Sequence, residues 1–326
     1  MPTIRLLDGR YASTANTVAF LSGLIFARVI SGVAVGLSAA TATAYLLELD
    51  LVARPAASGR RANIAATAAN LGGIGFGPLV AGWLAEHAPH PLRLPYIVFG
   101  GAIAGLAVLV ALGPDVPGSR PPRPPYRPQR IVVPRKDRSD FFSAVVIAMA
   151  TFAIFGMFTS LVPSFLADIL DEHSRAVAGL AVFVAFGSAA AAQIVAGRYG
   201  TREILIFGLP ALGLGLGIFV VGVFATSLPV FLLGGVVTGA GAGLAFRAAM
   251  ATASLAAPSG ARAEVLAGFF VGAYVGMTMP ALALGIAARY WPMRDVVLVF
   301  ACLALATIVM AVGQMGLWTK RITKPS

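Results

Sequence analysis

The sequence predicts an all-α, polytopic membrane protein with about nine transmembrane helices. Three observations support this prediction: 58% of the 326 residues are apolar, only 11% are charged, and long apolar stretches recur along the chain. A bilayer core about 30 Å thick needs about 20 helical residues to cross it. The alternating polar and apolar segments of a membrane barrel are not found, so the backbone polar groups must be satisfied within helices.

The spans are defined by these apolar stretches. The first run is too long to be the core of a cleavable signal peptide. The single cysteine, Cys302, lies inside the last span and has no partner for an internal disulfide. We predict nine spans, at 18–47, 63–85, 95–113, 141–167, 176–196, 204–225, 228–254, 264–288 and 296–317.

Basic residues separate onto alternate loops. Sixteen Lys and Arg lie in loops and ends on one side of the predicted spans, and six lie on the other. Because basic loops stay in the cytoplasm, we place the C-terminus and segment 114–140 inside a plasma or inner membrane and the segment 168–175 outside it. This topology accounts for the net charge of +11 without any nucleic-acid partner.

Segment 114–140 divides the chain. It contains eight prolines among many charged side chains, a composition that favours an extended cytoplasmic connector over a packed element. A recognition role for its Pro-Arg pattern is the alternative. The predicted organisation is therefore a first bundle of three spans at 1–113, the linker, and a bundle of six spans at 141–326.

Two pairs of spans resemble each other. Segments 31–40 and 238–247 share Gly-x-x-x-Gly-Leu at an offset of 207 residues, and Pro78 and Pro280 are 202 apart. The first span therefore pairs with the seventh and the second with the eighth. Spans four to six then lack counterparts, so we expect a two-times-six-helix protein with an incomplete N-terminal bundle, from a truncated or mis-started reading frame.

Three motifs resemble those of the major facilitator superfamily of secondary transporters. "LIFARVISGVAVG" is similar to the fourth-helix pattern, with Ser31 in place of the usual Gln, and "GIGFGPLVAG" resembles the fifth-helix antiporter motif, with Ala81 in place of one Gly. "AGRYGTRE" resembles the second-half copy of the cytoplasmic loop motif. The matched residues are Leu24, Arg28 and Gly32 in the first motif, Gly73, Gly77, Pro78 and Gly82 in the second, and Gly197, Arg198, Gly200 and Arg202 in the third.

The resemblance implies roles for these residues, and each has a plainer alternative. Arg28 lies roughly 15 Å deep, too far for easy snorkelling, and the family pattern implies that it faces a central cavity. The Gly-Pro motif implies a kinked, close-packed helix that gates against leak, whereas its glycines could be packing positions alone. Residues 197–202 imply a hinge latch, with a tight turn carrying basic residues as the alternative.

Several polar residues are candidates to line the cavity, although each could instead make a hydrogen bond between helices. None of the thirteen Asp and Glu lies in the middle of a span, although proton antiport usually needs a buried acid. Either that acid lay in missing helices, or an anion passes Arg28 without proton coupling. The candidates are Asn63, Asn70, Thr159, Ser160, Gln193, Arg247, Tyr274 and Gln314.

The sequence thus predicts a secondary active transporter of the drug/proton antiporter type, which exports small amphipathic solutes by alternating access. A passive facilitator or channel and a non-transporting membrane protein are the alternatives. No cluster of nucleophile, base and orienting group indicates an enzyme. The histidines His87, His90 and His173 lack metal-ligand spacing, so no metal or other cofactor is expected, and the expected partners are solute, lipid and protons.

Overall fold

A computed structural model describes residues 4–54, 60–112, 137–258 and 262–314. Most of the predicted linker at 114–140 lies outside these residues. The chain falls into two compact units, Met1–Ala66 and Thr67–Ser326. The predicted division at the linker stays a prediction.

The described residues form ten α-helices and no strand. Nine of the helices are long and apolar enough to cross a membrane, so the prediction of an all-α polytopic membrane protein is confirmed. The helices are α1 (Ile4–Ala53), α2 (Arg60–His87), α3 (Leu94–Ala111), α4 (Arg138–Ser160), α5 (Val162–Ile169), α6 (Arg175–Val195), α7 (Thr201–Phe224), α8 (Leu228–Leu255), α9 (Arg262–Ala287) and α10 (Met293–Gln314).

Helix α1 is longer than the predicted span at 18–47. It runs for 50 residues, because the chain contains no proline between Pro2 and Pro55 to end it. Its apolar segment is Leu21–Ser38, and no side chain in that segment is buried. The helix therefore continues through the charged residues on both sides of this segment and is longer than a bilayer requires.

The predicted fourth span is interrupted near its end. Helix α4 ends at Ser160, and α5 begins at Val162 with Pro163 in its first turn. Leu161 lies between them, and its N–H still donates to the Met157 carbonyl at 2.9 Å. A proline has no N–H to donate to the carbonyl four residues earlier, so the regular helix stops there. The single span predicted at 141–167 is therefore two consecutive helices.

Helices α4 and α6–α10 share one apolar core. Helices α4, α8, α7 and α10 contact one another in a closed ring, α9 lies along α4, and α6 lies along α8. The core contains a chain of aromatic rings, among them Phe155 stacked on Phe186 at 4.6 Å between centroids and Phe165 stacked on Phe231 at 5.2 Å. These rings fill the space between neighbouring helices of the core.

Glycines on α8 allow its close approach to two neighbours. On the side of α6, a Cβ at Gly239 would collide with the carbonyl of Ala185, and one at Gly243 would lie 2.7 Å from the Cα of Ala189. On the side of α7, Cβ atoms at Gly234 and Gly241 would collide with the α7 backbone. Because lipid supplies no hydrophobic driving force between helices, such backbone-level packing is a main source of their association.

Candidate functional site

The Gly-Pro motif lies on α2, and one side of it packs against α6. The carbonyl oxygen of Pro78 lies so close to Gly179 that a Cβ there would collide with it, and a Cβ at Gly82 would collide with the carbonyl oxygen of Arg175. Pro78 lies inside α2, which continues through it. Of the predicted gating residues, the structure therefore brings Pro78 and Gly82 to a contact with another helix.

The other motif glycines on α2 do not share this contact. Within the described part of the chain, no atom of another helix lies within 4 Å of the place that a Cβ would take at Gly73 or Gly77. Gly75, which the motif does not include, lies opposite Phe186, whose Cβ is 2.8 Å from a Cβ built at Gly75. The sequence reasoning missed Gly75 and Gly179, because a single glycine does not indicate which helix it will face.

The contact between α2 and α6 is antiparallel. Moving along α2 from Gly75 through Pro78 to Gly82, the partner position on α6 moves back from Phe186 to Arg175. The helices therefore meet over about two turns, roughly 10 Å at 1.5 Å per residue. Small residues at three levels allow the backbones of the two helices to come into direct contact.

Hydrogen bonds continue this contact past the last glycine. Glu86, in the last turn of α2, accepts hydrogen bonds from the Ser174 hydroxyl at 2.5 Å and from the Ala176 backbone N–H at 2.7 Å. Arg175 donates from Nη1 to the carbonyl oxygen of Ala85 at 3.2 Å. These residues could not be selected from the sequence, because hydrogen bonds between residues 88 or 90 positions apart produce no local sequence pattern.

Arg28 lies within the apolar segment of α1. Its side chain is exposed, as are all of its neighbours from Leu21 to Ser38. Among the described residues it has no hydrogen bond or ion pair. Gly32, one turn later, also has open space beside it. An arginine in an apolar helix requires a polar partner or water when the helix crosses a bilayer.

The structure brings together two of the predicted cavity residues, Gln193 and Arg247. Arg247 on α8 is partly buried and donates from Nη1 to the backbone carbonyl oxygen of Gln193 at 2.8 Å. That carbonyl belongs to the last turn of α6, where carbonyls lack helical partners. Arg247 therefore caps the C-terminus of α6. The Gln193 side chain is buried, and its Nε2 has no hydrogen-bond partner in the described residues.

The remaining cavity candidates lie apart from this pair. Asn70 and Gln314 are exposed, and the side chain of Asn63 lies outside the described part of the structure. The hydroxyls of Thr159 and Ser160 both donate to the Gly156 carbonyl of their own helix, at 3.0 Å and 2.6 Å respectively. These two hydroxyls are thus satisfied within α4.

Tyr274 lies at the edge of an aromatic cluster. Its ring packs edge-on against Phe152 of α4 at 5.8 Å between centroids and lies 6.4 Å from Phe270 of its own helix. Phe152 in turn packs against Phe246 of α8 at 5.0 Å. Because Tyr274 is 48% exposed, it gives this cluster an accessible aromatic surface.

The predicted latch residues form the connection from α6 to α7. Gly197 and Arg198 lie in a short 3-10 turn at Ala196–Arg198, and Gly200 precedes α7. The guanidinium of Arg198 lies 5.2 Å from the centre of the Tyr199 ring, and Arg202 is partly buried in the first turn of α7. This geometry is a tight turn, and the latch role stays a prediction.

The described residues contain no group of three or more His, Cys, Asp or Glu that could hold a metal ion. His87 stacks on Trp83 at 5.3 Å between ring centroids, and His90 and His173 are exposed. Cys302 is a free, exposed thiol. The residues that the structure does bring together are those of the α2–α6 contact and the Arg247 cap.

Comparison with known proteins gives one family. The model of the Major Facilitator Superfamily matches residues 11–212, which is more than half of the chain. The matched range contains most of α1, all of α2, α3 and α6, and the Gly-Pro motif. No curated protein matches the sequence.

Proposed function

Since the chain belongs to the major facilitator superfamily, whose members carry small solutes across membranes, we propose that it is a proton-coupled exporter of small amphipathic solutes. It works by alternating access, in which two helical bundles rock about a site between them. The protein lies in the plasma or inner membrane, with its C-terminus and the 114–140 linker in the cytoplasm. It is not an enzyme.

The observation that carries this proposal is the α2–α6 contact. One helix precedes the linker and the other follows it, and they meet through Gly82, Pro78 and Gly179. A contact of this kind excludes water along its length while burying few long side chains. It can therefore close tightly and separate without rearranging side-chain rotamers, as a gate must.

Arg28 is the proposed site of coupling or solute binding. It is exposed within an apolar helix and lacks a hydrogen bond or ion pair among the described residues. A charge at this depth costs about 3 kcal/mol or more unless it faces a partner or a water-filled cavity. This cost favours a position at the transport path, where solute or a protonatable group can pair with it.

The other assigned residues have supporting roles in this proposal. Gly32, Gly73 and Gly77 allow helices to approach one another during transport. Tyr274 offers an aromatic surface to an amphipathic solute, because its ring is half exposed beside Phe152. Residues 197–202, with Gly197, Arg198, Gly200 and Arg202, act as a latch on the cytoplasmic side.

Transport can be tested in vesicles that contain the purified protein and carry an imposed pH gradient. A suitable amphipathic, fluorescent solute for this test is ethidium. We expect saturable accumulation that collapses when the gradient is dissipated. The rate of accumulation should fall at least about tenfold in Arg28→Ala, because the variant removes the charge that we place on the transport path. Arg5→Ala, outside the apolar segment, is the control and should retain transport.

Other outcomes would select the alternatives. Flux that neither saturates nor depends on the gradient would indicate a passive facilitator or channel. An inserted, folded protein with no flux of this solute would contradict the proposed export of small amphipathic solutes and favour a non-transporting membrane protein. Equal flux in wild type and Arg28→Ala would remove Arg28 from the transport path.

A further inference from the structure

The end of α2 and the start of α6 cap each other. The first N–H groups and the last carbonyl groups of any helix lack partners within the helix. At the start of α6, the Ser174 hydroxyl accepts from the Val177 N–H at 3.1 Å, and the Glu86 carboxylate accepts from the Ala176 N–H at 2.7 Å. In return, Arg175 donates to the Ala85 carbonyl in the last turn of α2. Each helix therefore satisfies free backbone groups of the other.

The charges in this mutual cap face the opposite dipole ends of the partner helices. Glu86 lies beside the positive N-terminus of α6 and Arg175 beside the negative C-terminus of α2, which offsets the unfavourable place of each charge at the end of its own helix. Hydrogen bonds to an ionised carboxylate are shorter and stronger than those between neutral groups. The distances of 2.5 and 2.7 Å from Glu86 to its two donors fit that description.

The mutual cap is made of hydrogen bonds, unlike the neighbouring glycine contact between the same two helices. The contacts at Gly75, Pro78 and Gly82 involve apolar atoms or backbone groups, and the described residues show no hydrogen bond between the helices at these three levels. Such contacts limit the separation of the helices but have little directional preference. Hydrogen bonds depend steeply on angle as well as on distance. Among the described residues of the α2–α6 contact, the cap is thus the part that selects one register and one orientation.

The local structure holds Glu86 in place for this purpose. The next residue, His87, stacks on Trp83 and lies with its Nδ1 3.2 Å from the Trp83 carbonyl oxygen, which orders the last turn of α2. On the other side, Glu172 accepts from the Ser174 N–H at 3.0 Å. The two ends of the cap are therefore ordered by contacts within their own segments.

We propose that Glu86 is a positioning residue for transport, which holds the α2–α6 gate closed by capping the first turn of α6. This inference rests on the proposed function, since a gate has meaning only in a transporter. When the two helices separate at this end, Glu86 and Arg175 must lose their partners to water. Removal of Glu86 therefore shifts the population toward the separated state by the strength of the cap.

The separation can be measured directly, without any solute. Spin labels are attached to cysteines that replace Leu92, in the loop after α2, and His173, in the loop before α6, in a background with Cys302→Ser. Both positions are exposed and outside the helices. Pulsed electron resonance then gives the distribution of distances between the two labels in the full-length protein in lipid.

We expect the ratio of separated to closed protein to rise about tenfold in Glu86→Ala, because a charge-assisted cap is lost. Glu86→Gln keeps the size and an acceptor oxygen but not the charge, so it should give a smaller rise of about threefold. The matched control is Asp295→Ala. Asp295 is also an acid at a helix start, exposed in the first turn of α10. Because α10 contacts α4, α7 and α9, its loss should leave the ratio unchanged.

Each result decides the proposal. An unchanged distance distribution in Glu86→Ala overturns it, and so does an equal shift in Asp295→Ala, which would indicate general loosening. If Glu86→Ala does not fold, Glu86→Gln carries the test through its smaller rise, and no rise overturns the proposal. A distance shift in a protein that transports no solute would support the cap and contradict the proposed function, so the two failures are distinguishable.

Discussion

The helices after the linker and the helices before it use similar residues but pack differently. In the apolar, membrane-spanning segment of α4, 78% of the residues are buried, whereas no residue is buried in the corresponding segments of α1 and α3. Gly239 and Gly243 of α8 are in backbone-level contact with α6, but a Cβ at Gly32 or Gly36 of α1 would meet no atom of another described helix within 4 Å.

The difference teaches what a glycine motif specifies. Both segments contain Gly-x-x-x-Gly-Leu, so both can admit a neighbouring helix. Only a neighbour with its own small residues, such as Ala185 and Ala189 on α6, turns that capacity into contact. Apolar side chains that face lipid are already well solvated, so exposure costs α1 and α3 little in a bilayer.

The largest effect is expected where a side chain is added to the α6–α8 contact. Gly239→Val should lower the free energy of unfolding by about 3 kcal/mol, the upper end of the range for overpacking, because the new atoms would collide with backbone that cannot move aside. Gly32→Val is the matched variant in the other copy of the motif and should change stability by less than about 0.5 kcal/mol. Reversible unfolding in mixed micelles of lipid and denaturing detergent measures both.

Equal losses in the two variants would mean that α1 is packed as closely as α8. If both variants kept the stability of the wild type, the α6 and α8 backbones would have to be farther apart than the contact at Gly239 indicates. Either result would remove the contrast between the two copies.

A smaller effect is expected at the α2–α6 contact. Gly179→Ala should lower stability by about 1–2 kcal/mol, because its methyl group would collide with the Pro78 carbonyl. Gly77→Ala, on the same helix as Pro78, should be neutral or slightly stabilising, because it has open space and alanine is the better helix former. The same unfolding measurement applies, with a thermal melt in detergent as an independent check.

The reverse order of effects would contradict the contact. If Gly77→Ala were the damaging variant, the motif glycine at that position would have a neighbour that the described residues do not supply. Such a result would also mean that Gly179 does not pack against Pro78.

Much of the fold could be predicted from the sequence, because the bilayer limits the choice of structure. Apolar length defined the nine spans, since an unpaired backbone group cannot remain in lipid. The break near Leu161 was also encoded, by Pro163, but composition over a whole span hides a single proline. The start of α1 at Ile4 could not be predicted, because a helix extending beyond the membrane has no composition limit of its own.

The candidate site was predicted only in part, for a related reason. A motif on one helix indicates positions, such as Pro78 and Gly82, but not the partner helix. Glu86, Ser174 and Arg175 are ordinary polar residues at span ends, and their hydrogen bonds become visible only when α2 and α6 are placed together. Arg247 was predicted as a cavity residue, whereas its structural partner is the end of α6.

The smallest expected effect separates the two arginines that lie inside spans. Arg247→Ala should lower the free energy of unfolding by about 1 kcal/mol, since it removes a donor and a cation from the C-terminus of α6. Arg247→Lys keeps the charge and should recover about half of that loss. Arg28→Ala should leave stability unchanged and act on transport alone, because Arg28 has no hydrogen bond or ion pair among the described residues. If instead Arg28→Ala unfolds the protein while Arg247→Ala abolishes transport without loss of stability, the cap on α6 is the functional site and Arg28 is the structural residue.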